Sequence, residues 1–262
     1  MKNFAKIAAA LLAGAVALSA MADRPLVVAH RGYWDAPGAS QNSLRSLVKA
    51  DSVGAYASEF DVWRSTDGVL FVNHDMKFKG VTVCEASSTV AGSVVLDNGE
   101  SMPTLEQLLR QAQQLPGLRL VFELKEHPDK DAEALAVEEG VRMIEEMGLA
   151  GRTDYITFSK EALIGFARVA PEGSLVQYLG GDLTPAQVKA VGGNAIDYSI
   201  GTLRRRPEWI SQARELGMKV NVWTVDRPED MQWCIDMGVD YITTNQPVVL
   251  RRLMEEAEKT GK

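Results

Sequence analysis

The sequence predicts one α/β domain folded as a (β/α)8 barrel. Three observations carry the prediction: eight short apolar runs along the chain, amphipathic stretches between them, and prolines and glycines where helices would begin and end. The candidate strands are Leu26–Ala29, Ala57–Val62, Leu118–Leu124, Asp154–Phe158, Ser174–Leu179, Ala195–Tyr198, Lys219–Trp223 and Tyr241–Thr243. The clearest helical patterns are Asp131–Met147, Pro207–Leu216, Pro228–Met237 and Pro247–Lys259. Pro207, Pro228 and Pro247 suit a first helical turn, where a missing N–H costs nothing. Gly148, Gly217 and Gly238 stand where C-terminal caps belong. A doubly wound open sheet is the other arrangement this alternation allows.

Two segments fall outside the repeating unit. Residues 1–22 carry Lys2 and Lys6, then the apolar run Ile7 to Leu18, then Ala20-Met21-Ala22. That order reads as a secretory signal peptide, too short to cross a bilayer, with the barrel domain occupying residues 23–262. The expected location is periplasmic or extracellular, with no stable membrane anchor, since no cysteine lies near the cleavage point. The second segment, Met76 to Met102, is rich in Ser, Thr, Val and Gly. It reads as a short insertion after the second strand, a loop or small hairpin over the face where barrel insertions shape the pocket.

There are 35 acidic against 28 basic residues, a net charge of −7 that cleavage of the leader makes more negative. Such a surface argues against nucleic acid or an anionic membrane as partner. Cys84 and Cys234 allow either one long-range disulfide or free thiols. The oligomeric state is not legible.

The chemistry gathers at strand ends. His30 follows the first strand, and His74 closes the apolar run Val69–Asn73. A pair of histidines suits acid and base work near neutral pH, although each alone reads equally well as structural. Glu59 and Asp61, two apart, share a face of the second strand, and Glu123 lies near the end of the third. Three acids at neighbouring strand ends repel unless a cation neutralises them, and all-oxygen ligation selects one hard divalent ion, Mg²⁺ or Ca²⁺. Arg31 and Lys125 add positive charge for gripping phosphate oxygens, or for pairing with the same acids.

Several segments together resemble the glycerophosphodiester phosphodiesterases. Val28-Ala29-His30-Arg31-Gly32 is similar to their opening motif, Glu59-Phe60-Asp61-Val62 to their ExD strand, and His74-Asp75 to their second histidine motif. Phe122-Glu123-Leu124-Lys125, Val222-Trp223-Thr224-Val225 and Tyr241 to Pro247 resemble the later motifs, in the right order. The resemblance implies a TIM barrel of the PLC-like phosphodiesterase type that hydrolyses small glycerophosphodiesters to glycerol 3-phosphate and an alcohol. It implies His30 and His74 as general acid and base, in unassigned order. It also implies Glu59, Asp61 and Glu123 as metal ligands, Arg31 and Lys125 as phosphate ligands, and Trp223 beside the glycerol or leaving group. Trp223 reads equally as barrel core, on a face shared with Asn221 and Val225. A phospholipase-type enzyme acting on lysophospholipid or phosphoinositide-like substrates is the alternative.

Two positions depart from the family pattern. Gln41 stands where an acid is usual, which weakens whatever pairing that acid offers Arg31 or the metal. Asp226 replaces a frequent Asn, and a surface ion pair with Arg227 is the expectation there.

Overall fold

The computed structural model describes residues 24–259. Residues 1–22, read as a leader, lie outside the described residues. Eight parallel strands close on themselves: β1 (Leu26–Ala29), β2 (Ala57–Arg64), β3 (Arg119–Leu124), β4 (Thr153–Thr157), β5 (Val176–Tyr178), β6 (Ala195–Ser199), β7 (Lys219–Trp223) and β8 (Tyr241–Thr244). Each pairs with its chain neighbours, and β1 pairs with both β2 and β8, so the sheet is a barrel and not an open layer.

The period of two along the strands decides what faces inward. In β2, Phe60 and Val62 point outward into the large core that Phe122, Tyr155, Phe166 and Tyr198 share beneath the helices. Their neighbours Glu59 and Asp61 therefore point the other way, into the barrel. The interior holds only a small apolar group, including Val28, Ala57, Val121, Ile156 and Leu179. The upper layer of the interior is polar, with Glu59, Glu123, Asp197, Asn221 and Thr243 all buried. A barrel filled by side chains this way offers its C-terminal mouth to ligand.

The helices begin on side-chain caps. Ser43 caps α1 (Leu44–Ser52), and Thr104 with Gln107 forms a capping box on α2 (Leu105–Gln113). Pro228 starts the helix Pro228–Met237, and Gly238 ends it in the left-handed conformation.

The route to His74 differs from the simple strand-end expectation. β2 overshoots the barrel mouth through Val62 to Arg64, and the short strand Leu70–Val72 returns antiparallel beside it. Asn73 N–H then donates to Asp61 O at 3.0 Å, which brings His74 back to the level of the barrel mouth. The insertion follows as a hairpin (Lys77–Phe78 with Val81–Thr82), a 3-10 turn and the short helix Ser88–Gly92. It folds on its own apolar group, Val83, Ala91, Val94, Leu96 and Met102 against Trp63 and Phe71. Cys84 and Cys234 are both free thiols.

Candidate active site

The acids meet as their strand register dictates. Asp61 lies directly opposite Glu123 across the β2–β3 ladder. One carboxylate oxygen each from Glu59, Asp61 and Glu123 lies within 4.8 Å of the others, and all three residues are buried. Burial and the two neighbouring acids push Glu59 well above the usual carboxylate range. Burial, then Asp61, raises Glu123 to about 7 against the pull of Lys125. Burial would also raise Asp61, but Lys125, His74 and Arg31 outweigh it and hold that carboxyl at about 2.

The cations stand among these acids. Lys125 Nζ donates to Glu123 Oε1 at 2.7 Å and to Asp61 Oδ1 at 3.2 Å. Burial alone would lower its pKa, but Glu123 and Asp61 hold the ammonium well above its ordinary range. Arg31 has a left-handed backbone, φ 56°, which aims its own N–H at Glu59 Oε2, 2.7 Å away. Its guanidinium donates to Gln41 Oε1 at 2.6 Å and stands 3.6 Å from Asp61 Oδ2. Gln41 thus still orients Arg31, as a neutral acceptor that adds no charge and leaves Asp61 as the acid beside the guanidinium.

These residues fit a hard cation. Glu59 Oε1 is buried and has no hydrogen-bond partner among the described residues, an expensive state for a carboxylate oxygen unless something positive meets it. The clustered donors are all carboxylate oxygens, the set Mg²⁺ and Ca²⁺ prefer.

The two catalytic-candidate histidines both lie on the wall of one cavity of about 170 Å³. Arg31, Glu59, Glu123, Lys125 and Trp223 line it too. His74 also lines an adjoining outer cleft of about 480 Å³, with Trp34, Gln41 and Phe78. His74 Nδ1–H donates to Asp75 Oδ1 at 2.7 Å. His30 Nδ1–H donates to Asn245 Oδ1 at 2.8 Å, and burial followed by the Arg31 charge lowers its pKa to about 4. Trp223 edges against Phe158 at 5.5 Å between centroids and donates its indole N–H to Asp197 O. The shared face with Val225 does not hold, because β7 ends at Trp223 and Val225 turns into the outer core.

Three features escaped the sequence reading. Asp226 makes no surface pair with Arg227, which instead meets Glu229 and Asp230. Asp226 accepts from Thr244 Oγ1, Asn245 N and Asn245 Nδ2. Because Asn245 Nδ2 must donate to that carboxylate, its Oδ1 is fixed as the acceptor for His30 Nδ1–H and Trp34 Nε1–H. This chain sets the His30 tautomer and leaves Nε2 for proton transfer. Asn42, with φ 60°, donates to Asp61 Oδ2 and accepts from Asp61 N, fixing the central acid. His127, the third histidine, is structural: Nε2 accepts from Arg64 N and Nδ1–H donates to Lys125 O, pinning the Lys125 backbone.

A closed barrel whose mouth gathers two histidines, clustered acids and two basic side chains has the groups that phosphoryl chemistry uses. Residues 30–249 match the Glycerophosphoryl diester phosphodiesterase family. A glycerophosphodiester phosphodiesterase of Caldanaerobacter subterraneus subsp. tengcongensis is 27% identical over 249 residues, 89% of this chain and 99% of that protein. The crystal structure of a glycerophosphodiester phosphodiesterase from Parabacteroides distasonis is 44% identical, with TM-score 0.87 over 90% of this chain and 99% of that one. A phosphodiesterase from Oleispira antarctica, solved with the product sn-glycerol-3-phosphate, shares the fold at TM-score 0.75 and 20% identity, covering 88% and 97%. The chain belongs to the glycerophosphoryl diester phosphodiesterase family, and is a phosphoric diester hydrolase.

Proposed function

We propose that this enzyme hydrolyses small glycerophosphodiesters to glycerol 3-phosphate and an alcohol, with one divalent cation held by Glu59, Asp61 and Glu123. The observation that carries the reading is the single cavity lined by both histidines, Arg31, Lys125 and two of the three clustered acids. When bound, the cation neutralises the acids and acts as a Lewis acid toward a phosphoryl oxygen.

The protein's own groups divide the remaining work. Arg31 and Lys125 hold phosphoryl oxygens, the first by its planar fork and the second as a point charge. His30 is neutral with Nε2 bare, so it takes the proton of the attacking oxygen. His74 gives its proton to the leaving alcohol, while Asp75 on Nδ1 orients the ring. His74 is also the histidine shared with the outer cleft, which offers the leaving alcohol its exit. Residues 1–22 carry the pattern of a leader removed at export, and sequencing the N-terminus of exported protein should return Asp23 first.

Alanine at His30 or His74 is expected to lower kcat at least ~100-fold on an alkyl diester. With a p-nitrophenyl diester, whose leaving group needs no protonation, the His74 variant should recover most of its loss and the His30 variant should not. The reverse pattern would exchange the two roles, and unchanged turnover in both variants would remove the site.

A further inference from the structure

Asp197 lines the catalytic cavity with no assigned task. It sits between Ile196 and Tyr198, both in the outer core, so alternation along β6 turns its side chain into the barrel. It is 1% exposed, lines the cavity, and its Oδ1 has no hydrogen-bond partner among the described residues. A buried acceptor left unpaired is a cost the fold would avoid with an apolar residue unless a ligand supplies a donor.

We infer that Asp197 is a specificity-determining residue that accepts a hydrogen bond from the glycerol hydroxyl farthest from phosphorus. The inference rests on the proposed glycerophosphodiesterase activity and deepens it.

Placement within the barrel selects that hydroxyl. β6 is four strands from β2 in either direction around the closed sheet, so Asp197 faces Glu59 and Asp61 across the mouth. It is not one of the three clustered acids. Phosphorus belongs on the side of Arg31 and Lys125, and the far end of a three-carbon polyol then reaches toward β6.

The remaining wall suits such a polyol. Ile156, Phe158, Leu179 and Trp223 offer apolar surface to its C–H faces, and the cavity of about 170 Å³ admits only a small group. The Trp223 indole donates to the Asp197 backbone carbonyl at 2.9 Å, which fixes the ring against β6. The leaving alcohol, with any charge it carries, is directed to the outer cleft beyond His74.

The test compares sn-glycero-3-phosphocholine with (2-hydroxypropyl)phosphocholine, which keeps the 2-hydroxyl and lacks the terminal one, by choline release. Wild type should favour the glycerol compound by about tenfold or more in kcat/KM, because a site built to bind a hydroxyl rejects the analogue without it. In Asp197→Leu that ratio should fall to within about threefold of one, while Asp197→Asn, which keeps the shape and one acceptor oxygen, should retain most of it. Because the ratio is taken within each variant, a partial loss of folded protein cancels. Equal losses on both compounds, with the ratio unchanged in Asp197→Leu, would make the residue structural and overturn the inference. Lack of discrimination by wild type would overturn it without any variant. No wild-type turnover of either compound would instead overturn the proposed activity.

Discussion

Replacing Asn245 by alanine tests whether the tautomer of His30 is set by the protein. Asn245 Oδ1 accepts from His30 Nδ1 at 2.8 Å and from Trp34 Nε1 at 2.9 Å, while Nδ2 donates to Asp226 at 2.7 Å. Truncation removes all three bonds and leaves a part-buried imidazole N–H with no fixed acceptor. Losing the acceptor of a buried donor costs about 1–3 kcal/mol. If that loss falls on the transition state, where His30 gains a proton and its Nδ1–H bond strengthens, kcat drops about 5- to 150-fold at 1.36 kcal/mol per factor of ten. Asn245 does not line the cavity, so KM should stay within about threefold. The assay is steady-state release of glycerol 3-phosphate from glycerophosphocholine by Asn245→Ala, alongside Asp226→Ala, which never touches His30 and should show a smaller loss of the same kind. A kcat within twofold of wild type, or a loss confined to KM, would refute the reasoning.

Two further expectations concern stability. Gly32 has φ +75°, and a Cβ there would come within 2.4 Å of Ser46 Oγ and 2.7 Å of the Ser46 backbone carbon. Gly32→Ala should therefore cost at least ~2 kcal/mol in denaturant unfolding; a cost below ~0.5 kcal/mol would contradict this account of the turn. The second concerns pH and metal. Glu123 is raised from 4.5 to about 7, so without a cation its contribution to stability is fully present below about pH 4.5 and is lost as pH rises through about 7. His30 is lowered to about 4 and has the opposite slope, its contribution being lost as pH falls from 6.5 through about 4. The increment in Tm on adding Mg²⁺ or Ca²⁺ separates the two, because the cation competes with protons at Glu59 and Glu123. That increment should be larger at pH 7.5 than at pH 5; equal increments would contradict the carboxylate site.

The barrel was legible because its cues are local. Lys219–Trp223 and Leu26–Ala29 could be bounded by their apolar runs, and Glu59 with Asp61 by their spacing, since a strand's period is fixed by its backbone. The acids and histidines were legible as a group because the barrel brings the segments that carry them to one mouth, although β2 runs on past Glu59 and Asp61 and His74 follows an antiparallel return strand. What stayed hidden depends on partners far along the chain. Asn245 meets His30 and Trp34 across more than two hundred residues, and nothing near Asp226 distinguishes a carboxylate that orients an amide from one that meets Arg227. Asp197 did leave a trace, a lone acid within Ala195-Ile196-Asp197-Tyr198, the kind of interruption that marks a polar group turned into a barrel. The antiparallel return before His74 left none, because a three-residue strand has no periodicity to read.

The central claim, that a divalent cation held by Glu59, Asp61 and Glu123 assists cleavage of a glycerophosphodiester, is tested most directly by one titration. Glycerol 3-phosphate release from glycerophosphocholine is followed before chelation, after complete removal of metal with EDTA, and during return of Mg²⁺ or Ca²⁺. Activity should disappear with the metal and return with it, saturating at one ion per chain. Undiminished turnover in fully metal-free enzyme would contradict it.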